Sequence, residues 1–319
     1  MRVSAVFRLT VSALCGLALV GCVASPQAPR TAPNAPARPS PAAVVVPRMP
    51  PSAASEAVRM HFARVQADLL SNGLLRTDGG GRDTPYTDRM LAENFIRIAL
   101  YDEYVRGPGG PIQRQTASRL RRWETPVRVG LRFGASVSPQ SRATDTARVR
   151  SYLARLSRLT GHPISLSDSQ PNFMIHIVNE DERRALGPVV NAALPGLSAG
   201  ELAGITNMPI STYCLVYAMS EGSTGRYNRA FAVIRSEHPD LLRLSCMHEE
   251  IAQGLGLAND SPRARPSIFN DDEEFALLTR QDELMLRMLY NPALRTGMTE
   301  SEARPIIESL ARALVGGES

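Results

Sequence analysis

The feature that most constrains the fold is an amphipathic segment at residues 239–256 that ends in two closely spaced glycines. Its apolar residues recur at helical spacing, which predicts a helix with one face on the core. These residues are Leu244, Met247, Ile251 and Leu255. Pro239 suits the start of a helix, where its missing N–H costs nothing, and the glycines favour its end. A polar stripe lies beside the apolar face.

Short runs of alternating or β-branched residues precede this segment and predict strands. The predicted strands are residues 126–133, 163–167, 173–178, 212–219 and 228–235. Helical spacing predicts further helices at residues 53–71, 87–104, 143–160 and 277–290, with a last one behind a capping box of Thr299 and Glu302. The mixture predicts an α+β fold, in which a twisted mixed sheet packs on helices beside a small C-terminal helical subdomain.

The N-terminus has the pattern of a secreted bacterial protein. Two arginines precede an apolar run at residues 9–20, which is too short for a good membrane span. The run ends in LVGC at residues 19–22, which resembles a lipobox. That resemblance implies cleavage before Cys22 and diacylglycerol on its sulfur. An ordinary cleaved signal with an incidental cysteine is the alternative.

Composition changes along the chain predict its organisation. Residues 1–21 are the predicted lipoprotein signal peptide, and residues 22–52 hold the lipidated cysteine and a linker rich in proline and alanine. Nine prolines in residues 23–52 keep that linker extended. Residues 53–85 are predicted as a helix and a flexible connection, and residues 86–319 as the α+β domain. We therefore expect a domain anchored by lipid to a membrane of the bacterial cell envelope, facing the periplasm.

Two cysteines remain once the signal and the lipid are accounted for. Cys15 would leave with the signal and Cys22 would carry the lipid, which leaves Cys214 and Cys246 in an oxidising compartment. We predict that these two form a disulfide, which would contribute about 3.5 kcal/mol on the chain-entropy model. Two buried free thiols are the alternative.

The charge pattern argues against nucleic-acid binding. All 36 basic residues are arginine, and 31 acidic residues are interleaved with them. The basic residues form no stripe with aromatic residues between them, as a nucleic-acid interface would require. The expected partners are instead the membrane, through the lipid anchor, and an unknown protein or peptide of the envelope.

The stretch EEIAQGLGLAND at residues 249–260 has the spacing of a zinc-peptidase signature. It resembles the H-E-x-x-H-x-x-G-x-x-H motif of metzincin metallopeptidases, in which three histidines bind zinc and a glutamate is the general base. The resemblance places Glu249, Gln253 and Asn259 at the three ligand positions. It places Glu250 at the base and Gly256 at the turn.

The resemblance continues downstream of the motif. Residues 267–269 (SIF) resemble the methionine-containing turn beneath the metal, and residues 277–290 resemble the closing helix, with a cap-like start at Thr279 and Asp282. Together these features cover roughly residues 125–290 and imply a zincin-like architecture. Residues 249–272 also resemble the proteobacterial lipoprotein family called domain of unknown function 2927, which implies no known activity.

The three ligand positions hold no histidine, and this departure decides the predicted function. Amide oxygens are poor zinc ligands and suit harder cations only weakly. We therefore predict a degenerate, non-catalytic metzincin-like domain that binds a partner or serves a structural role, without a cofactor. The alternative is a metal-dependent peptidase or hydrolase with Glu250 as the catalytic base. Its weakly bound divalent metal would be held by Glu249, Gln253, Asn259 and Asp260.

Two further possibilities remain open. The motif could be a coincidence on another α+β fold. The acidic run at residues 271–274 could attract a cation or a basic partner, or it could be a solvated loop before the C-terminal helix.

Overall fold

The computed structural model describes residues 50–107 and 110–316, without the side chains of residues 103–115. The predicted signal peptide, Cys22 and nearly all of the linker lie outside the described residues. None of the described helices combines the length and the apolar character that a membrane crossing requires.

Helices of very different length alternate with strands along the described chain. The long helices are α1 (Ala53–Ser71), α2 (Asp88–Ala99), α3 (Pro139–Thr160), α7 (Asp240–Leu255), α8 (Arg280–Leu289) and α9 (Glu300–Val315). The short helices are α4 (Glu180–Arg184), α5 (Gly187–Ala193) and α6 (Ala199–Thr206). The predicted capping boxes begin α8, with Thr279 and Asp282, and α9, with Thr299 and Glu302.

The central sheet has six strands and is mainly parallel. Its strands are β3 (Arg122–Trp123), β4 (Val127–Phe133), β5 (Ile164–Leu166), β6 (Phe173–Val178), β7 (Cys214–Ser220) and β8 (Arg226–Arg235). The parallel strands follow the order β3-β8-β6-β4-β5, and β7 pairs antiparallel with β8. Strands β1 (Tyr101–Gly107) and β2 (Gly110–Ala117) form a separate antiparallel pair. The predicted mixed sheet packed on helices is confirmed at this level.

Most predicted elements are present, and α2 is the clearest error among the long ones. This helix was expected to continue to residue 104, but it ends at Ala99. Tyr101 instead pairs with Ala117, and the backbone N–H of Ser118 bonds to the carbonyl of Leu100. The pairing of β1 with β2 therefore uses the backbone N–H and carbonyl groups that would have formed hydrogen bonds within a longer helix.

Helix α7 packs against the sheet through two glycine positions. A Cβ on Gly254 would lie 2.5 Å from the ring of Phe173, so this glycine allows the helix to approach β6 closely. The carbonyl of Gly254 accepts a hydrogen bond of 2.8 Å from the indole of Trp123. Gly256 ends the helix with a φ of +127°, and a Cβ there would lie 2.3 Å from the carbonyl oxygen of Arg121. Only glycine fits this second position without a shift of the backbone.

The predicted disulfide between Cys214 and Cys246 is confirmed. It joins the first residue of β7 to the middle of α7, two elements that are 32 residues apart at the bonded positions. Helix α7 is therefore linked covalently to the strand that lies outside the parallel order.

A buried ion cluster lies where β6 and β8 end. The carboxylate of Glu180 binds Arg183 at 2.7 Å and Arg235 at 2.8 Å, and both arginine side chains are 1% exposed. Arg235 also donates to the carbonyls of Met208 and Pro209, which lie between α6 and β7. Burial raises the pKa of Glu180, but the two guanidinium groups outweigh that effect and its pKa lies below the usual value.

Helix α1 packs beside this cluster. Its Phe62 is fully buried and meets the rings of His238 and Tyr213 edge-on, with centroid distances of 4.2 and 5.2 Å. Ser55 donates a hydrogen bond of 2.7 Å to Glu237. Apolar and polar contacts therefore both hold α1 against the start of α7.

Candidate functional site

The C-terminal half of α7 carries the first three positions of the motif. Met247, Ile251 and Leu255 fill the core and leave Glu249 and Gln253 partly exposed beside it. Glu250 lies deeper than the predicted polar stripe implied, because its side chain is only 3% exposed. The helix therefore places the Glu250 carboxyl group inside the protein and the Glu249 carboxyl group at a partly buried position beside it.

The two neighbouring glutamates lack neutralising partners. The side chains of Glu249 and Glu250 form no hydrogen bond or ion pair with any described residue, and Oε2 of Glu250 is buried without a donor among them. Burial raises the pKa of Glu249 well above its usual value, and Asp260 and Glu250 raise it further. Burial and Asp260 likewise raise the pKa of Glu250. The low dielectric of the site therefore favours the neutral carboxyl form.

The amide side chains at the other two ligand positions, Gln253 and Asn259, form hydrogen bonds within the chain. Gln253 donates a hydrogen bond of 3.0 Å to Oδ1 of Asp260. Asn259 is 1% exposed and donates to the carbonyl of Arg97 at 2.7 Å, while its backbone N–H bonds to the carbonyl of Ile98 at 3.1 Å. Asn259 thus fastens the loop after α7 to the end of α2.

The acidic run at residues 271–274 is partly solvated and partly drawn toward α7. Asp271 and Asp272 are exposed, and Glu274 pairs with Arg76 and Arg265. Glu273 differs, because burial, Asp271 and Asp272 raise its pKa to about 7. Asp271 and Glu273 also lie close enough to raise the pKa of Glu249. Part of this run therefore belongs to the same acidic region as the motif.

A cavity of about 200 Å³ opens beside Gln253. Residues 216–218 of β7 form one wall, and Asp102 and Arg121 lie on another. These two charged side chains pair with each other, so the wall carries a neutralised ion pair. The cavity joins the edge of the sheet to the polar end of α7.

The zinc ion that the metzincin resemblance implies does not fit these residues. Within the part of the chain that the structure describes, no three His, Cys, Asp or Glu side chains are grouped as a metal would require. Gln253 and Asn259 present neutral amides whose nitrogens bond to Asp260 and to Arg97. Zinc is normally held by thiolate, imidazole or carboxylate groups.

The nearby histidine is structural. His248 stacks on Tyr152 with a centroid distance of 3.9 Å, and its Nδ1 accepts the backbone N–H of Leu278 at 3.2 Å. Burial lowers its pKa to about 3, so it stays neutral. It therefore fixes the position of α3 and the loop before α8.

No sequence pattern indicated that several residues of this region belong to the site. Asp102, Arg121 and residues 216–218 line the cavity, but they lie far from the motif in the chain. Glu273 was recognised only as part of an acidic run. Their proximity to α7 depends on the folding of β7, β8 and the loop before α8, which local patterns do not reveal.

The fold and the site together define an α/β domain in which two carboxyl groups of helix α7 have no partner among the described residues. Residues 88–309 match the family model described as "Protein of unknown function (DUF2927)", which spans more than half of the chain. The chain belongs to this family. No curated protein and no solved structure matches it.

Proposed function

We propose that the protein is a lipid-anchored component of the bacterial cell envelope whose zincin-like domain binds a protein partner and does not cleave it. The sequence LVGC at residues 19–22, which resembles a lipobox, and the nine prolines of residues 23–52 support the anchor. The disulfide between Cys214 and Cys246 supports a domain that faces an oxidising compartment such as the periplasm.

The order of elements supports a zincin-like scaffold. Strand β8 is followed by α7, by a sharp turn at Gly256, and later by the turn at residues 267–269 and helix α8. The carboxylate of Asp282 holds the second turn, because it accepts the backbone N–H of Ile268 at 3.0 Å and the hydroxyl of Ser267. These parts follow one another as the metzincin resemblance implies.

The observation that carries the non-catalytic assignment is the use of both amides inside the protein. Gln253 holds Asp260, and Asn259 holds the end of α2 through Arg97. A residue that fastens a loop to a helix in this way serves the fold. Glu250 keeps the position of a general base, but without a metal-bound water it has little to activate.

The edge of β7 is the proposed place of binding. This strand pairs with β8 on one side, and no described strand pairs with its other side. All seven of its residues are partly exposed. An extended segment of a partner can add to such an edge through main-chain hydrogen bonds, with pockets that receive alternate side chains. The cavity beside residues 216–218 would be one such pocket.

Metal analysis of the purified full chain tests the non-catalytic scaffold. We expect the wild type to hold no stoichiometric metal, whereas the triple variant Glu249→His, Gln253→His, Asn259→His gains one zinc ion. Because Asn259 is buried and hydrogen-bonded, the double variant Glu249→His, Gln253→His is measured beside it. It keeps that contact and should gain weaker zinc binding. Folded histidine variants without any zinc binding would contradict the proposed geometry.

A metal-dependent hydrolase is the second candidate, and the position of Glu250 favours it. Its buried carboxyl has the raised pKa that a general acid or base requires. This candidate predicts hydrolysis of a protein substrate such as casein when a divalent metal is added, with loss of activity in Glu250→Gln. No hydrolysis with zinc, manganese or calcium would rule it out for that substrate.

A further inference from the structure

We propose that Glu249 and Glu250 receive the guanidinium group of an arginine side chain from the protein segment that binds along β7. This inference deepens the proposed binding function and rests on it. It assigns a ligand chemistry to carboxyl groups that have no described partner within the chain.

The carboxyl groups of Glu249 and Glu250 have no compensating positive charge among the described residues. A buried carboxyl group is normally hydrogen-bonded or paired, because its desolvation is costly. Oε2 of Glu250 is buried and no described residue donates to it, and the side chain of Glu249 next to it has no described hydrogen bond either. Glu180, by contrast, has two buried arginines within 2.8 Å. The carboxyl groups near the end of α7 thus lack the arginine partners that the fold supplies to Glu180.

The spacing of the carboxyl groups favours a guanidinium group over a metal ion. Glu249 lies near Asp260 and Glu273, and both raise its pKa. Even so, no three described acidic, histidine or cysteine side chains are grouped closely enough to hold a metal. A metal requires its oxygen ligands at about 2.0–2.6 Å. A guanidinium group has five N–H donors in a planar fork and can bond to carboxylates that lie farther apart.

The cavity lies between β7 and the face of α7 that carries Gln253. Gln253 lines the cavity together with residues 216–218 and donates to Asp260 at 3.0 Å. Glu249 precedes Gln253 by four residues, which is one helical turn along the same face of α7. A side chain that enters the cavity from a segment paired with β7 would therefore be directed past Gln253 toward Glu249. The cavity also contains Arg121, but Asp102 pairs with it, which reduces its repulsion of an incoming arginine.

The test compares two peptides that differ only in charge at one position. One is an acetylated and amidated heptapeptide of alternating threonine and alanine with arginine at its centre. The other carries citrulline, the neutral isostere of arginine, at that place. Binding to the full chain in detergent is measured by calorimetry. We expect the arginine peptide to bind at least about tenfold more tightly, as a charge-assisted hydrogen bond would provide.

Variants assign that preference to the two glutamates. Glu249→Gln and Glu250→Gln should each remove most of the preference for arginine. Glu249 has no described hydrogen bond, so its variant is expected to fold normally. The control is Glu308→Gln, which changes an exposed carboxyl on α9 and should keep the full preference.

Each other outcome would overturn the inference. Equal affinity for the two peptides would exclude a charge-selective site, and so would a preference that survives in both glutamine variants. Displacement of the arginine peptide by stoichiometric calcium would identify a metal site instead. A copy of each peptide with N-methylated backbone amides separates the two proposals. If both unmethylated peptides bind equally and both methylated copies fail, strand addition on β7 stands and only the arginine site falls.

Discussion

Glutamate is buried in two places in this domain, and the two places differ in how its charge is compensated. Glu180 lies between Arg183 and Arg235, and these guanidinium groups hold its pKa below the usual value despite burial. Glu250 has no described partner, and burial raises its pKa well above the usual value. The first site is complete within the chain and stabilises the fold. The second is incomplete among the described residues, because none of them compensates the carboxyl group.

The largest effect is expected when the complete cluster is broken. Arg235→Met removes one guanidinium group from Glu180 and also the bonds to the carbonyls of Met208 and Pro209. Loss of one member of a buried ion pair costs about 3–5 kcal/mol, because the other charge remains buried. Urea unfolding followed by circular dichroism would measure the free energy of unfolding.

Arg184→Met is the matched control for that experiment. Arg184 pairs with the same carboxylate, but its side chain is 57% exposed. Exposed pairs contribute about 0–1 kcal/mol, so the control should unfold almost like the wild type. If both variants lost the same stability, burial would not be what distinguishes the cluster.

The disulfide should have the next largest effect. The double variant Cys214→Ser, Cys246→Ser removes the link between β7 and α7 and should lower the free energy of unfolding by about 3.5 kcal/mol. A reducing agent added to the wild type should give a similar loss. A smaller loss would mean that packing of α7 on β6 and β8 holds the incomplete site without the covalent link.

Much of the fold that carries both sites was predictable from local patterns. Helix α1 and strand β6 have the predicted boundaries, at Ala53–Ser71 and Phe173–Val178. The apolar residues of α1 recur near helical spacing, and β6 is a short, almost continuous apolar run, as is typical of a parallel strand buried on both faces. The β1–β2 pair and the short helices α4, α5 and α6 were missed. They have few apolar residues in a regular pattern, and the pairing of β1 with β2 is a tertiary property.

The two charge clusters were less predictable than the elements that carry them. Charged residues normally lie at the surface, so no sequence pattern predicted that Glu180 and Arg235 would be buried. Glu250 was identified through its motif, and its lack of a partner became evident only from the packing around it. Spacing along the chain identified the position, and the surrounding fold determined its charge state.

Glu250→Gln should change stability in the opposite direction from Arg235→Met. A glutamate with a raised pKa in the folded state stabilises the fold fully only below its unfolded pKa of about 4.3. That contribution is lost as the pH rises toward the raised value. The glutamine variant has no such loss, so at pH 8 it should be more stable than the wild type by at least about 1.4 kcal/mol, the equivalent of one pKa unit. Urea unfolding at pH 4 and pH 8 would measure the difference.

The matched variant for this comparison is Glu180→Gln. The pKa of Glu180 is lowered, so its contribution is present above about pH 4.3 and is lost as the pH falls through the lowered value. This variant should therefore be less stable than the wild type at pH 8. Destabilisation of Glu250→Gln at pH 8 would indicate that Glu250 is ionised and paired in the folded protein.

The smallest effect concerns Glu237, which lies between these two extremes. Its Oε1 accepts hydrogen bonds from Ser55 and from the backbone of Glu180, yet its Oε2 is buried and no described residue donates to it. Burial raises its pKa. Ser55→Ala removes the only bond that Glu237 receives from a described residue of α1, at an expected cost of about 1 kcal/mol. Ser71→Ala is the control on the same helix, because its hydroxyl bonds only to the carbonyl of Asp68 among the described residues.

Hydrogen exchange would show which part of the protein is destabilised in Ser55→Ala. Faster exchange should be confined to the amides of α1 (Ala53–Ser71), because the Ser55 contact joins this helix to the start of α7 without touching the central sheet. The Glu180 cluster keeps its arginines in this variant, so β6 and β8 should exchange as in the wild type. Faster exchange across β8 as well would mean that Glu237 is an integral part of the Glu180 cluster. In that case the complete cluster would extend to α1 and would already contain an unsatisfied carboxyl oxygen.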